Sequence, residues 1–231
     1  MRRFYKKAEA VERSAGHGIA LDGKPIKTPG KREFIVPTGA LAAAIAEEWD
    51  AQQGEVRPAT MRLTRLAATT LDRAAAQRDA LVEQITNYAG TDLVCYRATH
   101  PPALAARQQV VWQPLLDWAV LRYDAPLTVT AGIIPKSQSP ASLRAFAAAV
   151  GELDDFSLTA LHCATTACGS LVIALALLEG RLSAGEAFAA SQLDETFQIE
   201  AWGEDSEQAE RRRALAADIE AAARFLSLLR N

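Results

Sequence analysis

Three carboxylates, Asp194, Glu195 and Glu200, lie within seven residues of one another in SQLDETFQIEAWGEDSEQAERRR, from Ser191 to Arg213. Carboxylates so close can do general acid–base work if one of them is withdrawn from water. A solvated or salt-bridged helix face explains the same residues more simply. Cys95 is a conceivable nucleophile. It stands between Val94 and Tyr96 with neither a base nor an oxyanion site beside it, which is the setting of a core cysteine. His162, Cys163 and Cys168 are zinc-type ligands, but they fall in an alanine-rich apolar helix without a fourth ligand. Small buried cysteines fit that context better. His17 and His100 read as a strand start and a loop residue. Glycines are scattered through hairpins, so no loop of the phosphate-cradling kind is present. These residues call for no cofactor and no metal.

At about 100° per residue, the Ser191–Arg213 stretch does not sort into an apolar and an acidic face. Glu195, Ile199 and Trp202 form one stripe, and Leu193, Phe197, Glu200 and Glu204 a second. A surface helix ordinarily keeps its acids off its large apolar groups. The mixture marks either a buried, partnered acid or a surface offered to another molecule. Arg211 to Arg213 read as a solvated counter-charge to the acids before them.

The elements that must position these groups follow from turn and periodicity signals. Phe4 and Tyr5 open a strand-like run. His17 to Leu21 leads through the hairpin dipeptide Asp22-Gly23 into a return strand from Lys24 to Thr28. Pro29-Gly30 makes another turn, and Glu33 to Val36 a third strand. Thr38 is placed to cap a helix bearing Leu41, Ile45 and Trp49, with Gly54 to close it. Pro58 marks a boundary, so the reading is a small N-terminal α/β domain over 1–57 and an α-helical domain over 58–231. The second domain holds a long helix from Thr64 to Tyr88 and helices over 103–122, 140–150, 156–179, 184–203 and 206–230. A β-rich excursion from Asp124 to Pro135 contains Leu127, Val129, Ile133 and Ile134. The fold class is α+β, a small antiparallel sheet with one packed helix followed by an orthogonal helical bundle. Trp49, Trp112, Trp118 and Phe197 have core spacing. Arg65 and Arg97 are placed to pair with Asp72 or Asp92.

The bulk properties exclude several classes. A chain of 231 residues, 49% hydrophobic and 23% charged, is an ordinary globular composition. A net charge of -3 argues against a nucleic-acid binder. Three cysteines make no disulfide framework and suit a reducing compartment. No apolar run reaches the roughly 18 residues a membrane span needs, and the basic start with Glu9 and Glu12 is not that of a signal or transit peptide. A cytoplasmic protein is expected.

Eight blocks taken in order resemble one family. They are RFYK (Arg3 to Lys6), LDGKPIKTP (Leu21 to Pro29), AEEWDAQ (Ala46 to Gln52), MRLTRLAATTLD (Met61 to Asp72), TDLVCYRA (Thr91 to Ala98), WQPLLDW (Trp112 to Trp118), GSLVIALAL (Gly169 to Leu177) and LDETFQIEAWGED (Leu193 to Asp205). The ordered set is similar to the assembly chaperones of F-type ATP synthase that handle the alpha subunit of the catalytic head, the "Atp twelve" chaperones. The resemblance implies a non-enzymatic protein that binds the free alpha subunit, prevents its aggregation and leaves when the beta subunit joins; a monomer is expected. It implies an N-terminal α/β domain and a C-terminal helical domain, and an important glutamate in the last block, Glu195 or Glu200. Eukaryotic members act in mitochondria, so a bacterial cytoplasmic member is the expectation here. Candidate partner-binding residues are Glu195, Glu200, Trp202, Asp194, Asp92 and Arg97, with Tyr96 and the hairpin lysines Lys24 and Lys27 beside them. An enzyme of the helical domain using Glu195 or Cys95, or a general holdase without a defined client, are the alternatives.

Overall fold

In a computed structural model of the chain, the described residues are 2–132 and 134–230. Ile133, part of the expected β-rich excursion, lies outside them. Strands β1 (Ala8–Arg13) and β2 (Gly16–Leu21) form an antiparallel hairpin in register Ala8↔Leu21 to Arg13↔Gly16. Two short strands, β3 (Lys24–Pro25) and β4 (Ile35–Val36), share the other edge of β2 and complete a four-stranded sheet. The turn between β2 and β3 has positive φ at both Asp22 (48°) and Gly23 (78°), as the dipeptide requires.

Two sheet readings change. Phe4 and Tyr5 precede the first strand, which is AEAVER instead. That edge strand has no buried position, so it carried no period-two apolar signal. The return strand is shorter than expected, Lys24–Pro25, with one further backbone bond from Ile26 N to Ile19 O at 3.0 Å.

Helix α1 (Gly39–Asp50) packs on β1 and β2. Thr38 caps it, its hydroxyl accepting from Leu41 N at 3.2 Å, and Leu41 and Ile45 are fully buried. The helix ends at Asp50, before the expected Gly54. Its end is closed by Arg3, which donates to the carbonyls of Asp50 (2.8 Å) and Gln52 (2.6 Å). The last carbonyls of a helix lack intrahelical partners, and here a distant arginine supplies them.

Glu48, near that end, accepts from Leu63 N and Thr64 N, each at 2.8 Å, and so caps helix α2 (Arg62–Thr69). The single helix expected over 64–88 is interrupted. A wide π turn at Thr70–Ala74 follows α2, and α3 (Ala75–Gly90) carries a non-helical residue, Gln77, at φ -126°. Asp72 in the wide turn accepts from the Thr28 hydroxyl (2.6 Å) and Gly30 N (2.8 Å). This tie to a loop more than forty positions earlier leaves no mark on helical periodicity.

A two-residue strand β5 (Tyr96–Arg97) precedes the long helix α4 (Pro102–Tyr123) and pairs in parallel with β6 (Thr130–Ala131) in the expected excursion. Helices α5 (Pro140–Gly151), α6 (Asp155–Cys168), α7 (Leu171–Leu178), α8 (Ala184–Ser191), α9 (Leu193–Trp202) and α10 (Ser206–Leu229) complete the chain. Two sequence helices are each split. Gly169, at φ 64°, ends α6, and the Ser170 hydroxyl starts α7 by accepting from Ile173 N at 3.0 Å. Gln192, at φ -110° and ψ 25°, separates α8 from α9. Every residue of α7 is buried. The α+β class is as expected.

The chain divides into two compact units. The first comprises Met1–Arg78, Asp154–Ala160 and Arg224–Asn231, and the second Asp79–Leu153 and Leu161–Ala223. Pro58 falls inside the first. Among the described residues, no helix is long and apolar enough to cross a membrane.

Candidate recognition surface on the ninth helix

Three ties within the second unit hold α9. The first begins at Trp112, a core residue as expected, whose indole N–H donates to Ala190 O at 2.9 Å. One turn earlier on α4, Gln108 is almost fully buried. Its amide donates to the Asp194 carboxylate at 2.7 Å and accepts from Ala98 N at 2.8 Å. Arg97 donates to Gln108 O at 2.8 Å and lies over the Trp112 ring, 5.3 Å from its centroid. Asp194 and Arg97 therefore converge on one glutamine that was not singled out. The signal was available, because Gln108 sits at i+4 from Leu104 and i-4 from Trp112 on the apolar stripe of α4.

The second tie is Glu200 to Arg107, at 2.9 Å on the surface. Their hydrogen bond holds the Glu200 carboxyl below the usual carboxylate range. The Arg107 guanidinium also covers the Phe197 ring at 5.2 Å, so Phe197 is half-buried under an arginine rather than a core residue. The third is Arg212 of α10, which donates to the Thr196 hydroxyl at 3.1 Å, pairs with Glu204 at 3.1 Å and lies over Phe188 at 5.3 Å. Arg212 is thus a partly buried clamp, whereas Arg211 and Arg213 are exposed as expected. Glu204 does not continue the second stripe, because Gly203, at φ 85°, ends the helix after Trp202.

What the ties leave free is one face. Trp202 is 82% exposed. Glu195, seven positions earlier on the same side, is exposed and has no ion-pair or hydrogen-bond partner among the described residues. Beside this helix, Leu193 and Thr196 line an apolar groove of about 420 Å³ with Val111, Leu115 and Leu182.

Asp92 is not on any such surface. It is fully buried, accepting from Val94 N at 3.2 Å and from Val172 N at 3.0 Å at the start of α7. Desolvation raises its pKa to about 6 against those hydrogen bonds. It is an internal cap, and the partner-binding reading for it is withdrawn. The pairing expected for Arg65 and Arg97 is also corrected, since Asp72 is held by Thr28 and Gly30, and Arg97 by Gln108. Trp49 is only partly buried, not core. Burial pushes the Cys95 thiol up to about 12, the opposite of what a nucleophile needs. Among the described residues no group of three or more His, Cys, Asp or Glu is placed to hold a metal.

The family model described as ATP12 chaperone protein matches residues 2–120, just over half of the chain. The chain belongs to the ATP12 chaperone family. It is a family of chaperones of ATP synthase assembly. A fission yeast relative, "Protein atp12, mitochondrial" of Schizosaccharomyces pombe, is 25% identical over 214 residues, 87% of this chain and 74% of its own length. The crystal structure of Atp12 from Paracoccus denitrificans is 42% identical, with a TM-score of 0.93 over 99% of this chain and 98% of that one. A lysine-for-aspartate mutant of the same bacterial Atp12p is similar to the same degree. The Atu1473 protein of Agrobacterium tumefaciens is 40% identical, with a TM-score of 0.94 over 99% of this chain and 86% of that one.

Against this ATP12 frame, most of the resembling blocks do internal work. Arg3 closes α1, Glu48 caps α2, Asp72 holds the Thr28–Gly30 loop, Asp92 caps α7, and Trp112 fixes α8. The last block alone leaves both an acid and a tryptophan facing water. It also lies beyond the segment that the ATP12 family model matches.

Proposed function

We propose that this ATP12-family chain holds the free alpha subunit of the F-type catalytic head, keeping it from aggregating until it joins the beta subunit, and that it does so through the free face of α9. The observation that carries the site is the exposure of Trp202 two turns along the same face from an unpaired Glu195, on a helix otherwise fixed by Asp194, Glu200 and Thr196. An unassembled ring subunit exposes a large apolar surface meant for its neighbour. An exposed tryptophan on the same face as a free charge suits such a surface, since interface energy concentrates in aromatic groups ringed by polar ones. Preorganisation matters equally, because a helix already held in place loses little freedom on binding. The apolar groove beside Leu193 extends the surface available to the client. Glu200 and Asp194 support the face by fixing α9. Arg97, through Gln108, does the same at one remove.

The test uses purified chain and free alpha subunit. Suppressed aggregation of alpha subunit and a 1:1 co-eluting complex that dissolves on adding beta subunit are expected. Equal protection of unrelated unfolded proteins, without a complex with alpha subunit, would instead make the chain a general holdase.

A further inference from the structure

A second aromatic feature, in the first unit, is not accounted for by α9. Phe4 is 67% exposed, although its neighbour Tyr5 is buried. The two rings meet edge to face at 5.4 Å, and Tyr5 meets Trp49 in the same manner at 5.8 Å. These rings and Ile26 wall a pocket of about 370 Å³, and Lys24 and Lys27 stand at its rim. Tyr5, Leu21, Val56 and Met61 form a small buried cluster against which Ile26 and Trp49 pack, so the floor is preformed.

Polar groups in the pocket are unevenly satisfied. The Tyr5 hydroxyl donates to Trp49 O at 2.6 Å. The Trp49 indole N–H is buried and has no acceptor, and a buried donor left unbonded is costly. Lys24 and Lys27 are exposed and meet no carboxylate among the described residues. The nearby Asp22 carboxylate is turned to backbone, accepting from Lys6 N and Lys7 N at 3.1 and 2.9 Å. The pocket therefore offers aromatic walls and a rim where two lysines without ion pairs outnumber the single Asp22 carboxylate, the complement of an apolar side chain next to negative charge. Strand addition at β3 is not the mode, because Pro25 has no N–H to give a new strand.

We propose that this pocket docks an acidic segment of a protein partner, taking an aromatic or large aliphatic side chain between Phe4, Ile26 and Trp49 and a neighbouring carboxylate between Lys24 and Lys27. The proposal rests on the chaperone reading, in that the occupant is a segment of a bound protein rather than a metabolite. It places a second contact point on a unit separate from α9.

The test follows the Trp49 indole resonance in the ¹⁵N-labelled full chain, assigned with Trp49→Phe, as an acetylated Glu-Glu-Phe-Glu-Glu peptide is added. A saturable shift is expected, absent with the Lys-Lys-Phe-Lys-Lys peptide. The Lys24→Glu, Lys27→Glu double variant should weaken the acidic peptide by roughly tenfold or more, and Glu195→Lys should leave its titration unchanged. Identical responses to both peptides, or none, would overturn the proposal. Benzoate binding as tightly as the acidic peptide would overturn it too, by making this a small-molecule site. Co-elution of wild-type chain with alpha subunit is measured separately. If that fails while the peptide titrates as expected, the client assignment falls and the pocket stands.

Discussion

Replacing Asp92 by asparagine tests whether burial or hydrogen bonding governs this acid. The side chain is fully buried and accepts the N–H groups of Val94 and Val172. Those bonds favour the charged carboxylate, but desolvation outweighs them and raises the pKa from its ordinary 3.8 to about 6. The folded state therefore binds this proton more tightly than the unfolded state. Where the native state holds the extra proton, stability falls as pH rises. The stabilising contribution is complete below about 3.8, declines through the window up to about 6 and is gone above it. A gap of about two pH units at about 1.4 kcal/mol per unit amounts to about 3 kcal/mol. Asparagine cannot titrate, so Asp92→Asn removes this slope while keeping one amide oxygen as acceptor. Urea unfolding of both proteins at intervals from pH 4 to pH 7.5 isolates the effect, because other titrating groups cancel in the difference. Wild type should lose about 2 kcal/mol relative to the variant over that range, the rest of the change lying below pH 4. A difference that is flat with pH, or rises with it, would refute the reasoning and show that the α7 N-terminus outweighs burial.

Glu195→Lys should weaken alpha-subunit co-elution while shifting the melting temperature negligibly, because the side chain is exposed and unpartnered; a large loss of melting temperature would expose a structural role. Trp202→Ala should likewise lose binding and change unfolding free energy by less than about 0.5 kcal/mol, and unchanged binding would remove it from the site. Trp112→Phe strands the Ala190 carbonyl and opens a gap in a fully buried site, so about 2–4 kcal/mol should be lost in chemical denaturation. Gly30→Ala puts a Cβ 2.5 Å from the Asp72 carboxylate oxygen, so the Asp72 side chain must swing away from its bonds to Thr28 and Gly30. About 1–3 kcal/mol of stability should go, and Thr28→Val should cost less in this background than in wild type, because the Thr28 bond to Asp72 is common to both changes.

The hairpin and the helices were legible because they carry local signals. Asp22-Gly23 readily takes the positive φ that a two-residue hairpin turn needs, and Thr38 caps α1 through a bond spanning only three residues. The breaks were harder to read. Gln192 bears no helix-breaking chemistry, and the π turn at Asp72 exists together with a contact to Thr28 far away in sequence. The family-like blocks were legible as a set, but not their work. Glu48, Asp72 and Asp92 look alike in sequence, as acids near apolar residues. Each is used internally, to cap a helix or hold a loop formed elsewhere in the chain. Burial separates such acids from Glu195, and burial is decided by tertiary partners that spacing does not reveal.

That separation also answers the question raised by the acidic stripe. General acid–base work asks one carboxyl to be both withdrawn from water and open to a substrate. Among Asp92, Asp194, Glu195 and Glu200 the two conditions fall on different residues. Asp92 is withdrawn, but its oxygens face the N–H groups of Val94 and Val172. Glu195 is open, with solvent on it and a tryptophan two turns away rather than a base. Asp194 is engaged by Gln108, and Glu200 by Arg107. An acid that is exposed, rigidly mounted and unpaired is suited instead to meeting a cation on another surface, because the helix beneath it is already ordered and only the partner's charge is missing. The Glu195–Trp202 face should accordingly lose its partner more readily as ionic strength rises, whereas the buried Gln108 bonds to Asp194 and Arg97 beneath it are screened much less and should hold.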